Sequence, residues 1–333
     1  MEIKTTAILG AGGWGTALAG LWSKDGRDIV LWGHNPSHIE QLCATRENNA
    51  YLPGFKIPKA VRLTSELKDC AECDLIVFVV PSTFFRTIAT AFREMSANDN
   101  SVLLSGTKGI EHTTGMRMSQ ILADLFVSHP LAVLSGPNLA VEVARNLPTA
   151  TVLGCAQSEW ARKLQAFLGS PRFRIYTSDE LTGIELGGAL KNVFALAAGV
   201  SDGLGLGDNS KAALVTRSLA ELLRLGAAMG GNPRTIYGLS GVGDLVATCF
   251  SQHSRNRKTG ERLGRGESLD QITSSMKMVA EGIPTSRSAY ECARRVKVET
   301  PIIDQIHAVL YENKLPARAL EELLQRDQKE ERL

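Results

Sequence analysis

The 333-residue chain is 44% hydrophobic and 22% charged and carries a formal net charge of +2. Those values exclude a disordered or fibrous chain, and the near-neutral balance gives no reason to expect nucleic acid or a membrane surface as the main partner. The length argues for two domains. No uninterrupted apolar run comes near the roughly 20 residues that a bilayer requires. Residues Met1–Thr6 enter a strand pattern without the apolar stretch of a signal peptide, so a cytoplasmic protein is expected. Cys43, Cys70, Cys73, Cys155, Cys249 and Cys292 are scattered, as reduced thiols are. Cys70 and Cys73 form a lone CxxC with no second pair to complete a zinc site. No metal is expected, and the pair is read as a helix end beside a strand.

In chain order, Thr6–Leu9 predicts a short strand, Gly13–Ser23 a helix and Ile29–Trp32 a second strand. Asp74–Val80 (DLIVFVV) is a near-continuous apolar run, the pattern of a parallel strand covered on both faces. Ser101–Ser105 and Leu131–Ser135 repeat it. Strands alternating with helices argue for βαβ units and a parallel sheet. From about Asp179 onward apolar residues recur at helical spacing, and Leu181–Val200, Lys211–Met229 and Arg287–Arg295 are predicted helices. The charge-rich Glu321–Leu333 reads as a solvated helix end. The change of pattern places a domain boundary between residues 178 and 179, with domains over 1–178 and 179–333.

Gly10-Ala11-Gly12-Gly13-Trp14-Gly15 matches GxGxxG, follows the first strand and opens a helix. In that setting Gly10 permits a tight turn, Gly12 lets the backbone approach a pyrophosphate, and Gly15 lets helix and strand pack closely. The free N–H groups and the helix dipole then favour phosphate. An NAD-selective site usually has an acidic residue at the end of the second strand, but this one ends Leu31-Trp32-Gly33-His34-Asn35. Asp28 precedes the strand and belongs at its other end. His34 is read either as facing the adenosine ribose or its 2′-phosphate, or as an exposed loop histidine. Relaxed NAD/NADP choice or NADP preference follows.

Lys108, in Ser105-Gly106-Thr107-Lys108-Gly109, and Ser135-Gly136-Pro137-Asn138 both follow strands. The carboxyl edge of a parallel sheet is where cofactors bind, so both are candidate crevice loops, with Asn138 as a helix N-cap. Lys191 sits in a helical segment almost devoid of charge, with Gly187 and Ala195 one turn away on its face. A buried lysine needs a partner or a lowered pKa, and either suits acid/base work on a hydroxyl/carbonyl pair; the alternative is a lysine snorkelling from a core helix. Asp244 lies in a glycine-rich turn, Gly238–Leu245, and Ser254-Arg255-Asn256-Arg257 follows. Together they offer an orienting carboxylate and a guanidinium fork for phosphate, although charge alone does not separate Arg255 from Arg257.

With these residues assembled, the sequence resembles the bacterial NAD(P)-dependent glycerol-3-phosphate dehydrogenases. The match runs from GAGGWGTALA through LWGHNPSHI, NNAYLPG, GTKGIE, SGPNLA, ELGGALKNVFALAAG, GLSGVGDLVATC and SRNR to AEG at Ala280–Gly282. The resemblance implies an N-terminal α/β, Rossmann-like, doubly wound parallel sheet that binds the dinucleotide. A mostly α-helical C-terminal domain would then bind substrate. It implies NADPH- or NADH-dependent reduction of dihydroxyacetone phosphate to sn-glycerol 3-phosphate for phospholipid synthesis, by a cytoplasmic homodimer. Lys191 would be the proton donor and acceptor, with Asp244 and Lys108 beside it. Gly10, Gly12, Gly13, Trp14, Gly15, His34, Lys108, Ala140, Arg255, Val279 and Glu281 would contact the cofactor. Lys108, Gly136, Asn138, Lys191, Asn192, Asp244, Thr248, Ser254, Arg255 and Asn256 would contact the substrate. One departure is Asn138, where the family often has Ser or Thr. Rival readings are a 6-phosphogluconate or ketopantoate reductase, against which GTKGIE and GDLVATC…SRN count, and a non-catalytic NAD(P) sensor, against which Lys191, Asp244 and Arg255 count.

Overall fold

The computed structural model describes residues 3–95, 98, 100–276, 278, 280–328 and 330. The chain divides into two compact units, Met1–Thr107 with Met118–Leu181, and Lys108–Arg117 with Thr182–Leu333. The ten-residue excursion Lys108–Arg117 is a feature that a single boundary at 178/179 does not describe.

The first unit is built on one eight-stranded sheet. Its strands are β1 (Thr5–Leu9), β2 (Asp28–Trp32), β3 (Val61–Thr64), β4 (Leu75–Phe78), β5 (Val102–Ser105), β6 (Leu131–Ser135), β7 (Thr149–Gly154) and β8 (Phe173–Ser178). They are ordered β3-β2-β1-β4-β5-β6-β7-β8. All residues of β4 and β5 are buried, which is why those stretches are unbroken apolar runs. Strands β1 to β6 are parallel, as expected; β7 runs antiparallel to β6 and β8 parallel to β7. The chain winds outward from β1 to β3 and then in the other direction from β4, so the order reverses between neighbours β1 and β4. Ligands of doubly wound sheets bind at such a switch point.

The second unit is helical among its described residues. Its central helix, Leu181–Gly203, is buried at every position from Gly183 to Ser201. By length and mean hydropathy this helix could cross a membrane, although Glu185, Lys191 and Asp202 interrupt its apolar run. Its apolar window is wholly buried within the protein, so it is accounted for as a core helix. Its sequence is glycine- and alanine-rich because another helix, Arg255–Gly264, lies against its backbone. A Cβ on Gly199 would sit 1.9 Å from the Arg257 carbonyl oxygen, and one on Gly203 2.2 Å from that of Glu261. From the other side, a Cβ on Gly260 would sit 2.0 Å from the Leu196 carbonyl oxygen, and one on Gly264 2.6 Å from that of Val200. Mid-helix glycine costs roughly 0.5–1 kcal/mol relative to alanine, and here the close approach offsets it.

Candidate active site

In the first unit the glycine loop lies at the switch point. Gly10 has φ +132°, and a Cβ there would be 2.9 Å from the Val79 carbonyl oxygen, after β4. A Cβ on Gly15 would be 1.9 Å from the Gly10 carbonyl oxygen, so the helix Gly13–Trp22 starts tight against the turn. Gly12 differs, because nothing lies within 4 Å of the position a Cβ would take. No side chain caps this helix, and the first intrahelical bond is from Thr16 N to Gly12 O. The N–H groups of Gly13, Trp14 and Gly15 therefore have no acceptor within the helix, which is the arrangement that binds phosphate. Open space at Gly12 and these donors fit a dinucleotide pyrophosphate. Asn48, in NNAYLPG, is fully buried and braces the loop, its Nδ2 donating to Ala11 O at 3.0 Å and to Thr16 Oγ1 at 2.7 Å. Sequence reasoning quoted this residue without giving it a role.

His34 is exposed just beyond the end of β2, whereas Asp28 begins that strand at the opposite edge. Gly136 is buried, with φ +152° beside Thr151. Asn138 is not the N-cap expected. The helix Ala140–Ala144 has Leu139 at that position and no side-chain cap. The Asn138 amide instead spans to β7, accepting from Thr151 Oγ1 at 2.9 Å and donating to Ala150 O at 3.3 Å. Two partners across the sheet edge displace the local cap. Ala140 begins that short helix.

The second unit brings together the charged residues singled out from the sequence. Asp244 is buried at the start of the helix Asp244–Phe250, straight after a turn of π-helix, Leu239–Gly243. Gly187 makes room for that turn: a Cβ there would be 2.9 Å from Ser240 O. One carboxylate oxygen of Asp244 is 2.9 Å from Lys191 Nζ, and the other accepts from Lys108 Nζ at 2.6 Å. Lys191 Nζ also donates to Thr248 Oγ1 at 2.6 Å. The Lys191 ammonium is held but not relaxed. Burial brings its pKa down to about 8, Asp244 opposes that fall and the charge of Lys108 adds to it.

Around this cluster, Asn192 Oδ1 accepts from Asn256 Nδ2 at 2.8 Å, and Asn256 Oδ1 accepts from Gly282 N at 2.8 Å. Ser254 is the N-cap of the helix Arg255–Gly264, accepting from Arg257 N at 3.2 Å. The two arginines, indistinguishable by charge, differ in place. Arg257 Nε donates to Asp202 Oδ2 at 2.6 Å, and Asp202 also takes Lys211 at 2.8 Å. Arg255, in the first turn, is partly open to solvent, yet its guanidinium is enclosed enough for burial to lower its pKa, a fall that the Glu281 carboxylate opposes. Val279 lies outside the described residues. Asp202 and Glu185 were missed in the sequence; their signal was to be charges on the same almost uncharged helix as Lys191. Among the described residues no group of three or more His, Cys, Asp or Glu side chains could hold a metal.

The glycine loop at the switch point puts the first unit in the class of dinucleotide-binding folds. Comparison with known proteins narrows the class. Residues 5–161 match the family described as NAD-dependent glycerol-3-phosphate dehydrogenase N-terminus, and residues 180–321 match its C-terminus. The glycerol-3-phosphate dehydrogenase (NAD(P)+) of Desulfotalea psychrophila is 45% identical, over 98% of this chain and 98% of that one. That of Syntrophotalea carbinolica is 46% identical over 97% and 98%. A crystal structure of glycerol-3-phosphate dehydrogenase from Coxiella burnetii superposes with a TM-score of 0.94 at 38% identity, covering 98% of this chain and 99% of that one. The chain belongs to the NAD-dependent glycerol-3-phosphate dehydrogenase family.

Proposed function

We propose that the protein catalyses reversible reduction of dihydroxyacetone phosphate to sn-glycerol 3-phosphate with NADPH or NADH. The observation that carries this is the Lys191 ammonium, buried and held by Asp244 and Thr248 with its pKa brought down to about 8. Such a group loses and regains a proton near neutrality. The nicotinamide, when bound, supplies or accepts the hydride. As the substrate C=O becomes CH–OH, Lys191 gives its proton to the oxygen and is left as the neutral amine. The reverse reaction returns the proton to it. Asp244 stabilises the charged lysine and Lys108 limits how strongly it does so. The backbone N–H groups from Gly13 to Gly15 hold the pyrophosphate. His34, Ala140, Val279 and Glu281 belong to the same cofactor reading. Arg255, with Ser254 and Asn256, offers donors for the substrate phosphate; Gly136, Asn138, Asn192 and Thr248 complete the substrate reading. A cytoplasmic homodimer supplying glycerol phosphate for phospholipid synthesis accords with the family.

The test is NADPH oxidation by the purified protein with dihydroxyacetone phosphate, compared with unphosphorylated dihydroxyacetone. Turnover should need the phosphate, whose binding energy is used in the transition state. Equal turnover of the two ketones would defeat the proposal.

A further inference from the structure

The Lys108–Arg117 excursion is held to the rest of the second unit at Lys108, Ile110, His112, Thr113, Thr114 and Arg117. An antiparallel bridge between Ile110 and Arg117 closes it into a loop. Inside, Gly115 N donates to Glu111 O and Glu111 N to Met116 O, both at 2.9 Å. One face of the helix Gly282–Arg295 then lines it at i, i+3 and i+7, positions that share a side of a helix. Ser288 Oγ donates to Ile110 O at 2.9 Å, Glu291 meets His112 at 3.2 Å, and Arg295 donates to Thr114 O at 2.7 Å and Thr113 O at 3.1 Å. At its far end the loop is tied to the core helix. Arg117 Nη1 pairs with Glu185, both largely buried, six residues before Lys191.

A surface loop needs none of this, because an exposed ion pair or hydrogen bond adds little stability. The loop ends at Lys108, two residues before the pinned Ile110, and Lys108 reaches Asp244. We propose that the excursion is a positioning strap: Arg117, Glu185, Ser288 and Arg295 act through it to keep the Lys108 ammonium on Asp244, and so set the acid strength of Lys191. This rests on the functional reading above only for its catalytic consequence. Among the described residues, the charged and titratable groups that act most on Lys191 are Asp244, Lys108 and Cys249. Burial pushes the Cys249 thiol up to about 12, so it stays neutral over the relevant range. If the strap loosens, a positive neighbour withdraws and Asp244 is left to Lys191. Both changes raise the pH at which Lys191 loses its proton.

Two measurements test this on the full-length protein. The first is the rate at which trace acetic anhydride acetylates Lys108, read by mass spectrometry of its peptide. The second is the alkaline limb of kcat/KM for dihydroxyacetone phosphate. Glu185→Gln leaves Arg117 without that carboxylate and risks the fold. Arg295→Ala removes two bonds to the strap from a half-exposed side chain and is the safer probe; melting curves confirm that each variant folds. In both, Lys108 acetylation should rise by more than about twofold as the ammonium leaves Asp244, and the limb should move up by roughly half a pH unit. Glu185→Asp should restore much of both. Arg117→Met combined with Glu185→Gln should cost no more than the worse single change, as for residues acting as a pair. An acetylation rate within about twofold of wild type in folded Glu185→Gln and Arg295→Ala overturns the proposal, as does an unmoved limb. If wild-type protein does not turn over dihydroxyacetone phosphate, the functional reading fails instead, and the acetylation rates, which need no substrate, decide the strap alone.

Discussion

Glycine is put to opposite uses at Gly12 of the first unit and along the core helix of the second. At Gly12 it opens space: nothing lies within 4 Å of a would-be Cβ, and the adjoining helix start keeps its donors available, while Gly10 and Gly15 on either side pack tightly. At Gly199, Gly203, Gly260 and Gly264 it closes space, letting two helix backbones touch. The first arrangement suits a ligand that brings its own charge. The second makes a close-packed interior in which a lysine on the same helix is perturbed by burial. Glycine content alone therefore does not mark a binding loop; the volume beside the missing Cβ does.

The sharpest test of this division is Lys191→Met, which keeps the apolar stem and removes the proton. It should lower kcat by about 10²–10⁴-fold. Nucleotide binding, followed by fluorescence, should survive, since the cofactor loop belongs to the other unit. Near-normal kcat would exclude Lys191 as the acid. Next in size, Arg255→Ala should reduce kcat/KM for dihydroxyacetone phosphate by roughly 30-fold, the loss of about 2 kcal/mol from charge-assisted bonds. Arg257→Ala should show mainly as a lower melting temperature, because Arg257 is spent on Asp202. If the arginines behave the other way round, the phosphate site is misassigned.

The glycine comparison itself is tested by paired alanines. Gly199→Ala forces a methyl into the Arg257 carbonyl and should cost roughly 1–3 kcal/mol in unfolding by denaturant. Gly12→Ala should change stability by less than about 0.5 kcal/mol while raising KM for the nucleotide. Equal destabilisation by both would remove the distinction. The smallest effect concerns pH. Reduction needs Lys191 protonated, so kcat/KM for dihydroxyacetone phosphate should fall as pH rises through about 8, while nucleotide affinity stays flat there. A limb at the ordinary lysine value near 10.5 would mean that burial does not perturb this lysine.

The parts legible in the sequence were those whose cause is local. The strand, turn and helix around Gly10–Gly15 are consecutive, and so are the apolar runs of β4, β5 and β6. Lys191 stood out because its own helix has almost no other charge. What was hidden depends on residues far apart in the chain. Nothing in Thr149–Gly154 records that β7 would run against β6. Asn138 had the position of a cap, yet Thr151 and Ala150 claim its amide. Arg255 and Arg257 were alike until Asp202, 55 residues before Arg257, took one of them. Strands β3, β7 and β8 were missed because short stretches with polar positions carry a weak period.

The excursion Lys108–Arg117 also bears on modularity. Because ten residues from the middle of the first unit's sequence are built into the second, the polypeptide passes from one unit to the other three times, at 107/108, 117/118 and 181/182. No single cut in the gene separates them. A fragment beginning at residue 182 would lack Lys108, one of the two ammonium groups on Asp244. Grafting that fragment onto a different nucleotide-binding domain would transfer the helices but not the complete charge cluster, unless the host carried an equivalent strap. The two units are thus harder to separate or exchange than those of a simple tandem fusion would be.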